Sequence, residues 1–349
     1  MKKLLCLCLI ILLTFSACQK SRGEQKYTDY SFDYFDTVTT IVGFETDEDT
    51  FKQNCKLIKE QLGQYHKLYN IYNRYDGVNN LCFLNSVTDG AHPKLTVDQR
   101  IIDLLLYAKE MYALTDGKTN VAMGSVLSLW HQYREEGLND PASAKLPPMD
   151  KLQKAAEHTD IQNVVIDEKT SSVHLSDPLM KLDVGAIAKG FAAEKIALWM
   201  EKNGMNDYIL NIGGNVRALG ARPDGKKWSI GIENPDTEDD ETPYIEYLEF
   251  ERMSLVTSGS YQRFYMVGDQ KYHHIIDPQT LLPATYFQSV SVLCLDSGKA
   301  DALSTALFCM DYAEGRALIE EIKDCEAMWV LPDGTKQYSK GFKNYCTEE

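Results

Sequence analysis

The stretch Lys181-Leu-Asp-Val-Gly-Ala-Ile-Ala-Lys-Gly-Phe-Ala-Ala-Glu-Lys195 is the one around which the chain is organised. With Met180 and Leu182 it opens as the end of a strand, then passes through Asp183 and Gly185. From there Phe191, Ala192, Ile196, Trp199 and Met200 recur near the helical period, and Gly204 supplies a stop. Gly185 and Gly190 let the backbone approach a neighbour closely, and the alanines at 186, 188, 192 and 193 leave the face uncrowded. A carboxylate, a lysine and free helix N–H groups thus meet at one turn, which suits a phosphate and a divalent cation. Taken alone, so short a Gly/Ala stretch is equally a tight turn with alanines chosen for packing.

Working outward, residues 34–44 are rich in Thr, Val and aromatics and read as a strand. Residues 49–69 follow as an amphipathic helix with Phe51, Cys55, Ile58, Leu62, Tyr65 and Tyr69 on one face. The loop at 69–80 is rich in amides and carries Tyr69, Tyr72 and Tyr75, which either stack on a flat ring or cap a core. Thr96-Val-Asp-Gln99 is a capping-box pattern opening a helix to Leu114. Asp116-Gly117 turns the chain into Lys118-Thr-Asn-Val-Ala-Met-Gly124, and residues 135–160, with Pro141, Pro147 and Pro148, read as a surface excursion with a short helix. Residues 164–166 and 173–175 make a hairpin-like pair. Beyond the central stretch, residues 208–212 form a strand ending in Gly213-Gly214-Asn215, and strand-like runs recur at 228–232, 244–250, 254–257, 272–276 and 290–295. Helices and many strands without regular alternation, and without an internal repeat, predict an α+β fold with mixed or antiparallel sheets and flanking helices.

At 349 residues the chain has length for one large domain or two smaller ones. Its net charge of −15 excludes nucleic acid as a partner, because little would replace counterions on a phosphate backbone. An anionic ligand therefore needs a local remedy, a metal or helix amides. Residues 1–17 stand apart from the fold: Lys2 and Lys3 precede an apolar run from Leu4 to Phe15, then Ser16, Ala17 and Cys18. This resembles a bacterial lipoprotein signal, with Cys18 lipidated and residues 18–27 a polar tether, although Phe15 departs from the usual leucine. An ordinary secretory peptide is the alternative. The expected folded domain is then 28–349. Of the nine cysteines, Cys55, Cys82, Cys294, Cys309, Cys325 and Cys346 fall within it without any C-x-x-C pair, so they read as small core residues or as disulfides outside the cytoplasm.

The chain contains no P-loop, no G-x-G-x-x-G after a strand and no G-x-S-x-G. In Lys299-Ala-Asp-Ala-Leu-Ser-Thr-Ala306, with Ser297 or Asp296 as the cap, Asp301 and Thr305 lie four apart on one helix face. Such a pair can give Mg²⁺ two hard oxygen ligands; the plain alternative is a solvated first-turn Asp with a back-bonded Thr. His273 and His274 precede an Asp277-Pro278 turn, and adjacent strand positions send one ring inward and the other outward.

Taken in order, Asp116-Gly-Lys-Thr-Asn-Val, Asp183-Val-Gly-Ala-Ile-Ala-Lys-Gly, Asn211-Ile-Gly-Gly-Asn, Thr257-Ser-Gly-Ser-Tyr, His274-Ile-Ile-Asp-Pro-Gln-Thr and Ala300-Asp-Ala-Leu-Ser-Thr resemble the FAD:protein FMN transferases, the ApbE family. The resemblance spans nearly all of the mature chain. It implies one large α+β domain that binds FAD with Mg²⁺, moves the FMN half onto a threonine hydroxyl of a partner protein and releases AMP. It also implies metal ligation by Asp301, Thr305 and the carbonyl of Ala186. The FAD site would be lined by Phe35 (where the family has methionine), Tyr72, Lys118, Thr119, Asn120, Asp183, Lys189, Ile276 and Ser304. Asp301 or His274 would take the hydroxyl proton. The acceptor would be an extracytoplasmic flavoprotein with a Ser/Thr-Gly-Ala-Thr-like segment, which this chain lacks, and the lipid anchor would hold the enzyme at a bacterial membrane. The competing readings are a Mg²⁺-dependent FAD pyrophosphatase, with water as acceptor, and a non-enzymatic FAD-binding lipoprotein. Storage alone would need no Asp301/Thr305 pair.

Overall fold

A computed structural model describes residues 23–86, 90–236 and 241–347. The expected signal, Cys18 and the first half of the expected tether lie outside the described residues. In chain order the strands are β1 (Gln25–Tyr34), β2 (Thr37–Glu45), β3 (Leu95–Thr96), β4 (Val164–Asp167), β5 (Ser172–Leu175), β6 (Tyr208–Ile212), β7 (Asn215–Ala218) and β8 (Trp228–Glu233). They continue with β9 (Tyr244–Phe250), β10 (Ser254–Gly259), β11 (Phe264–Val267), β12 (Gln270–His273), β13 (Ser289–Cys294), β14 (Cys325–Val330) and β15 (Lys336–Tyr338). The helices are α1 (Glu48–Tyr69), α2 (Leu81–Leu84), α3 (Gln99–Leu114), α4 (Gly124–Asn139), α5 (Met149–Ala156), α6 (Ala188–Lys202), α7 (Ser297–Phe308) and α8 (Tyr312–Glu321).

Eight strands form one sheet in the order β1-β2-β6-β7-β10-β13-β14-β15, antiparallel at every junction. The period of two sorts its side chains onto two faces. Ile41, Leu210 and Ile212 pack with Phe51, Ile58, Phe191 and Ile196 of α1 and α6. Ile209, Val216 and Leu255 pack instead with Trp228, Ile232, Leu248 and Phe250 of the β8–β9 hairpin. Helices therefore cover one face and a hairpin the other. Farther along, Val290, Val292, Ala327 and Trp329 meet Leu303, Ala306 and Leu307 of α7. The α+β architecture expected from the sequence is the one observed.

Local chemistry explains where elements begin. The Asp47 carboxylate accepts from Thr50 N–H at 2.8 Å and caps α1, whose apolar stripe is buried as expected. Helix α3 is capped by Asp98, which accepts from Arg100 N–H; Thr96, the expected cap, is a strand residue of β3. The strand expected over 34–44 starts only at Thr37, because Phe35 and Asp36 turn the chain with φ of 55° and 51°. Strand β1 starts at Gln25, so it takes in the last residues of the expected tether. No strand forms at 180–182: Asn85 holds both the N–H and the carbonyl of Leu182 through its side chain, leaving Lys181 only a single bridge to Met123. The run expected over 272–276 ends at His273, whose ring accepts from Ile275 N–H and turns the chain out of the ladder. Cys294 and Cys325 face each other in the β13–β14 register and are joined by a disulfide.

Candidate active site

The site is built on the contact between α6 and α7. A side chain at Gly190 would put its Cβ 2.3 Å from the Ser297 carbonyl oxygen and 2.5 Å from Asp301 Cβ, so only glycine lets the two helices lie this close. The approach brings Gly190 N–H within 2.8 Å of Asp301 Oδ2, and Lys189 Nζ lies 3.7 Å from Oδ1. Asp301 is 3% exposed, and burial raises its pKa while Lys189 and the Gly190 amide oppose the rise. From β7, buried Asn215 turns its side chain toward the same carboxylate and lowers its pKa, though among the described residues its Nδ2 makes no hydrogen bond of ordinary geometry. Behind the pair, Glu194 of α6 accepts from Arg217 at 2.9 and 3.2 Å and from Ser297 N–H at 2.9 Å, tying α6, α7 and β7 together. Asp296 caps α7 through Lys299 N–H at 2.9 Å.

A cleft of about 450 Å³ opens beside this contact, within the usual range for small-ligand sites. Its walls include Phe35, Tyr72, Lys118, Thr119, Asn120, Asp183, Ala186, Lys189, His274, Ile276, Asp301 and Thr305, so nearly the whole expected set meets in one place. Ser304 is the exception. It is fully buried, donates to the Asp301 carbonyl at 2.9 Å and shares a 2.8 Å hydrogen bond with Ser258, so it braces the wall from behind. The 118–120 segment also shapes the cleft more than it offers polar groups. Lys118 Nζ is held by Asp277 and Gln279, the Thr119 hydroxyl donates to Ala302 C=O at 2.7 Å, and Asn120 bridges Thr159 C=O and Ala122 N–H.

Of the two histidines, His273 is 8% exposed and fully engaged: Nε2 lies 2.7 Å from the Ala284 carbonyl and Nδ1 accepts from Ile275 N–H. That pattern fixes a neutral tautomer, and burial keeps its pKa below the usual value. His274 borders the cleft. Its Nδ1 lies 3.2 Å from the Arg263 carbonyl, an acceptor only, so Nδ1 carries the proton and Nε2 keeps a lone pair. The ring has accessible surface on its cleft side but protein crowds its back. That crowding first, and the Arg263 charge second, push its pKa below the ordinary histidine value.

Helix α4, not assigned from the sequence, contributes Trp130, His131 and Arg134 to the cleft. Val126, Trp130, Tyr133 and Gly137 sit at helical spacing and carry the signal that marks it. His131 packs against Tyr72, ring centroids 5.2 Å apart, and Asn70 holds that loop by accepting from Tyr72 and Asn73 N–H. Gln262 and Arg263, between strands, also border the cleft and had no pattern to reveal them.

The donors fit a hard cation that keeps most of its coordination for phosphate and water. Asp301 could supply one buried carboxylate, Thr305 a hydroxyl one helical turn on, and Ala186, also on the cleft, its backbone carbonyl. Among the described residues there is no cluster of three or more His, Cys, Asp or Glu side chains able to hold a metal unaided.

Residues 35–329 match the model of the ApbE family. The chain belongs to the ApbE family. Relatives named FAD:protein FMN transferase include one from Klebsiella pneumoniae (strain 342), 32% identical over 69% of this chain and 72% of its own length. Another, from Treponema pallidum (strain Nichols), is 32% identical over 71% of this chain and 70% of its own length. The crystal structure of an ApbE protein from Thermotoga maritima superposes with a TM-score of 0.80 at 27% identity, covering 93% of this chain and 100% of that one. A flavin transferase ApbE from Vibrio cholerae shares the fold with a TM-score of 0.74 at 23% identity, covering 92% of this chain and 99% of that one. This ApbE-family chain is thus an enzyme of the flavin-transferase class.

Proposed function

We propose that this enzyme, with Mg²⁺, transfers the FMN half of FAD to a threonine hydroxyl of another extracytoplasmic protein and releases AMP. The observation that carries the reading is the pairing, across one cleft, of the buried Asp301 carboxylate and the half-buried Thr305 hydroxyl with an imidazole whose Nε2 has no hydrogen-bond partner among the described residues. The threonine Oγ forms a bond to the FMN-side phosphorus, and the bond from that phosphorus to the bridging oxygen breaks. AMP leaves with that oxygen, and the hydroxyl proton passes to His274 Nε2. Asp301 is the less available proton acceptor because its oxygens already face Gly190 N–H and Lys189. Bound Mg²⁺ would offset the charge that builds on the non-bridging oxygens. Asp301, Thr305 and the Ala186 carbonyl would hold it. Lys189 and the amides at the start of α6 add positive potential in a chain that is otherwise strongly acidic.

Lipid attachment at Cys18 and an extracytoplasmic location belong to the same proposal. The Cys294–Cys325 disulfide fits an oxidising compartment. Among the described residues no helix is long and apolar enough to cross a membrane. The test incubates the protein with FAD, Mg²⁺ and extracytoplasmic membrane proteins and looks for covalent flavin fluorescence in a denaturing gel. Labelled acceptor, lost with EDTA or in Asp301→Ala, is the expected result. Free FMN with no labelled protein would replace the transferase reading by a pyrophosphatase one.

A further inference from the structure

The eight-stranded sheet has a second cavity on its other face, a groove of about 850 Å³ between the sheet and the β8–β9 hairpin. Its floor is the β2–β6 part of the sheet, where Val38 is 43% exposed and Thr40 and Asn211 are half-buried. The groove and the catalytic cleft share Thr37, Gly213, Thr257 and Gln262 as lining, so they meet over one rim of turns at the end of the sheet.

Strand β8 forms one wall, and all six of its residues line the groove. The two edges of the hairpin differ. The outer edge of β9 is covered by the C-terminal segment, through the Leu248–Cys346 bridge and the Thr347 N–H to Tyr247 carbonyl bond at 2.9 Å. Strand β8 pairs only with β9, and among the described residues no backbone hydrogen bond reaches its other edge. An unpaired strand edge along a groove is the arrangement that captures an extended peptide as an added strand. At the rim, Gln262 Nε2 donates to Glu233, the last residue of β8, at 3.4 Å. The next residue, Arg263, offers the carbonyl that orients His274.

We infer that the groove is the docking track for the acceptor protein. An extended segment of the acceptor lies along the free edge of β8 and carries its threonine over the Thr37–Gln262 rim to His274. This rests on the proposed transfer to a protein threonine. The occupant must reach the phosphorus closely, and a track whose floor mixes Val38 and Val42 with Thr40 and Asn211 suits small apolar and hydroxyl side chains such as those of a Gly-Ala-Thr run. The rim continuity excludes a distant docking face as the simplest route, since the hydroxyl would then have to cross open solvent.

The experiment uses full-length protein in detergent with FAD, Mg²⁺ and a synthetic peptide containing Ser-Gly-Ala-Thr flanked by acceptor-like residues. Val38→Trp and Ser229→Trp fill the groove at exposed positions that do not line the catalytic cleft. Both should cut kcat/KM for peptide labelling by about tenfold or more, equivalent to about 1.4 kcal/mol, mainly through KM. FAD binding, read by quenching of flavin fluorescence, should stay at the wild-type value. A photo-crosslinker placed at position 229 should capture the peptide. Wild-type labelling with undiminished labelling by both variants would overturn the docking track while leaving the transferase reading intact. No labelling by the wild type would remove both. Crosslinks from position 229 to this chain's own N-terminal segment would also overturn it, since that segment would then be the occupant.

Discussion

Two neighbouring histidines show how much a single hydrogen bond decides. Both precede the same turn, but His273 spends both ring nitrogens on backbone partners and His274 spends only one. The sequence indicated that one ring would point inward; which ring, and what the other ring's second nitrogen does, depend on carbonyls of Ala284 and Arg263 that arrive from other segments. His274→Asn keeps a polar side chain but removes the base, and turnover should fall about 10²- to 10⁴-fold with FAD binding little changed. Because the folded ring has a pKa below its unfolded value, it stays neutral as pH falls through the ordinary histidine range, and its protonation shuts the reaction only at lower pH. A kcat–pH profile of the wild type should therefore lack an acid limb near about 6.5. Such a limb, if it vanished in His274→Asn, would contradict the lowered pKa, whereas undiminished turnover in that variant would remove the ring from the role of base. Asn215 makes the complementary point: it stands inside a quoted motif, but its unmatched Nδ2 beside Asp301 is visible only in three dimensions.

At the level of elements, α6 and α7 were legible because their chemistry is local. Within α6 the signal is Gly190 beside the Phe191–Ile196 stripe, and within α7 the i,i+4 pair and the Asp296 cap lie within a few residues of one another. What the sequence did not show was the partner: Gly190 is small because Asp301, far along the chain, needs its space. Gly190→Ala should force the helices apart and cost about 1–3 kcal/mol by overpacking. Differential scanning calorimetry reads the loss in Tm, and the apparent Mg²⁺ requirement of turnover should rise with it. A variant as stable and as active as the wild type would show that the helices have slack. Helix α4 was missed for a different reason. Its apolar stripe is interrupted by polar residues that face the cleft, and Gly124, placed where its Cβ would sit 2.4 Å from the Lys181 carbonyl, weakens the local helix signal at the start. The disulfide was equally hidden, since Cys294 and Cys325 become neighbours only through strand pairing.

For the whole molecule, composition set useful limits: a net charge of −15 leaves an anionic substrate dependent on local positive groups, and Lys189, Arg134 and Arg263 gather on the cleft wall. Attachment is a separate question carried by one residue. Cys18→Ser should leave the protein unprocessed or release it from the membrane, because on the proposed reading that one cysteine carries the whole attachment; fractionation and the mass of the mature N-terminus check this, and wild-type behaviour of the variant would end the lipoprotein reading. The sheet itself divides the molecule, with a cleft against its helices, a groove against its hairpin and a rim of turns between them. On the proposed docking, only the acceptor threonine crosses that rim, so a seated flavin would not bar the peptide and a seated peptide would not bar the flavin. Initial-rate plots against the two substrates should accordingly intersect, as for random-order addition to a ternary complex, rather than run parallel, and no FMN should remain bonded to the enzyme between turnovers.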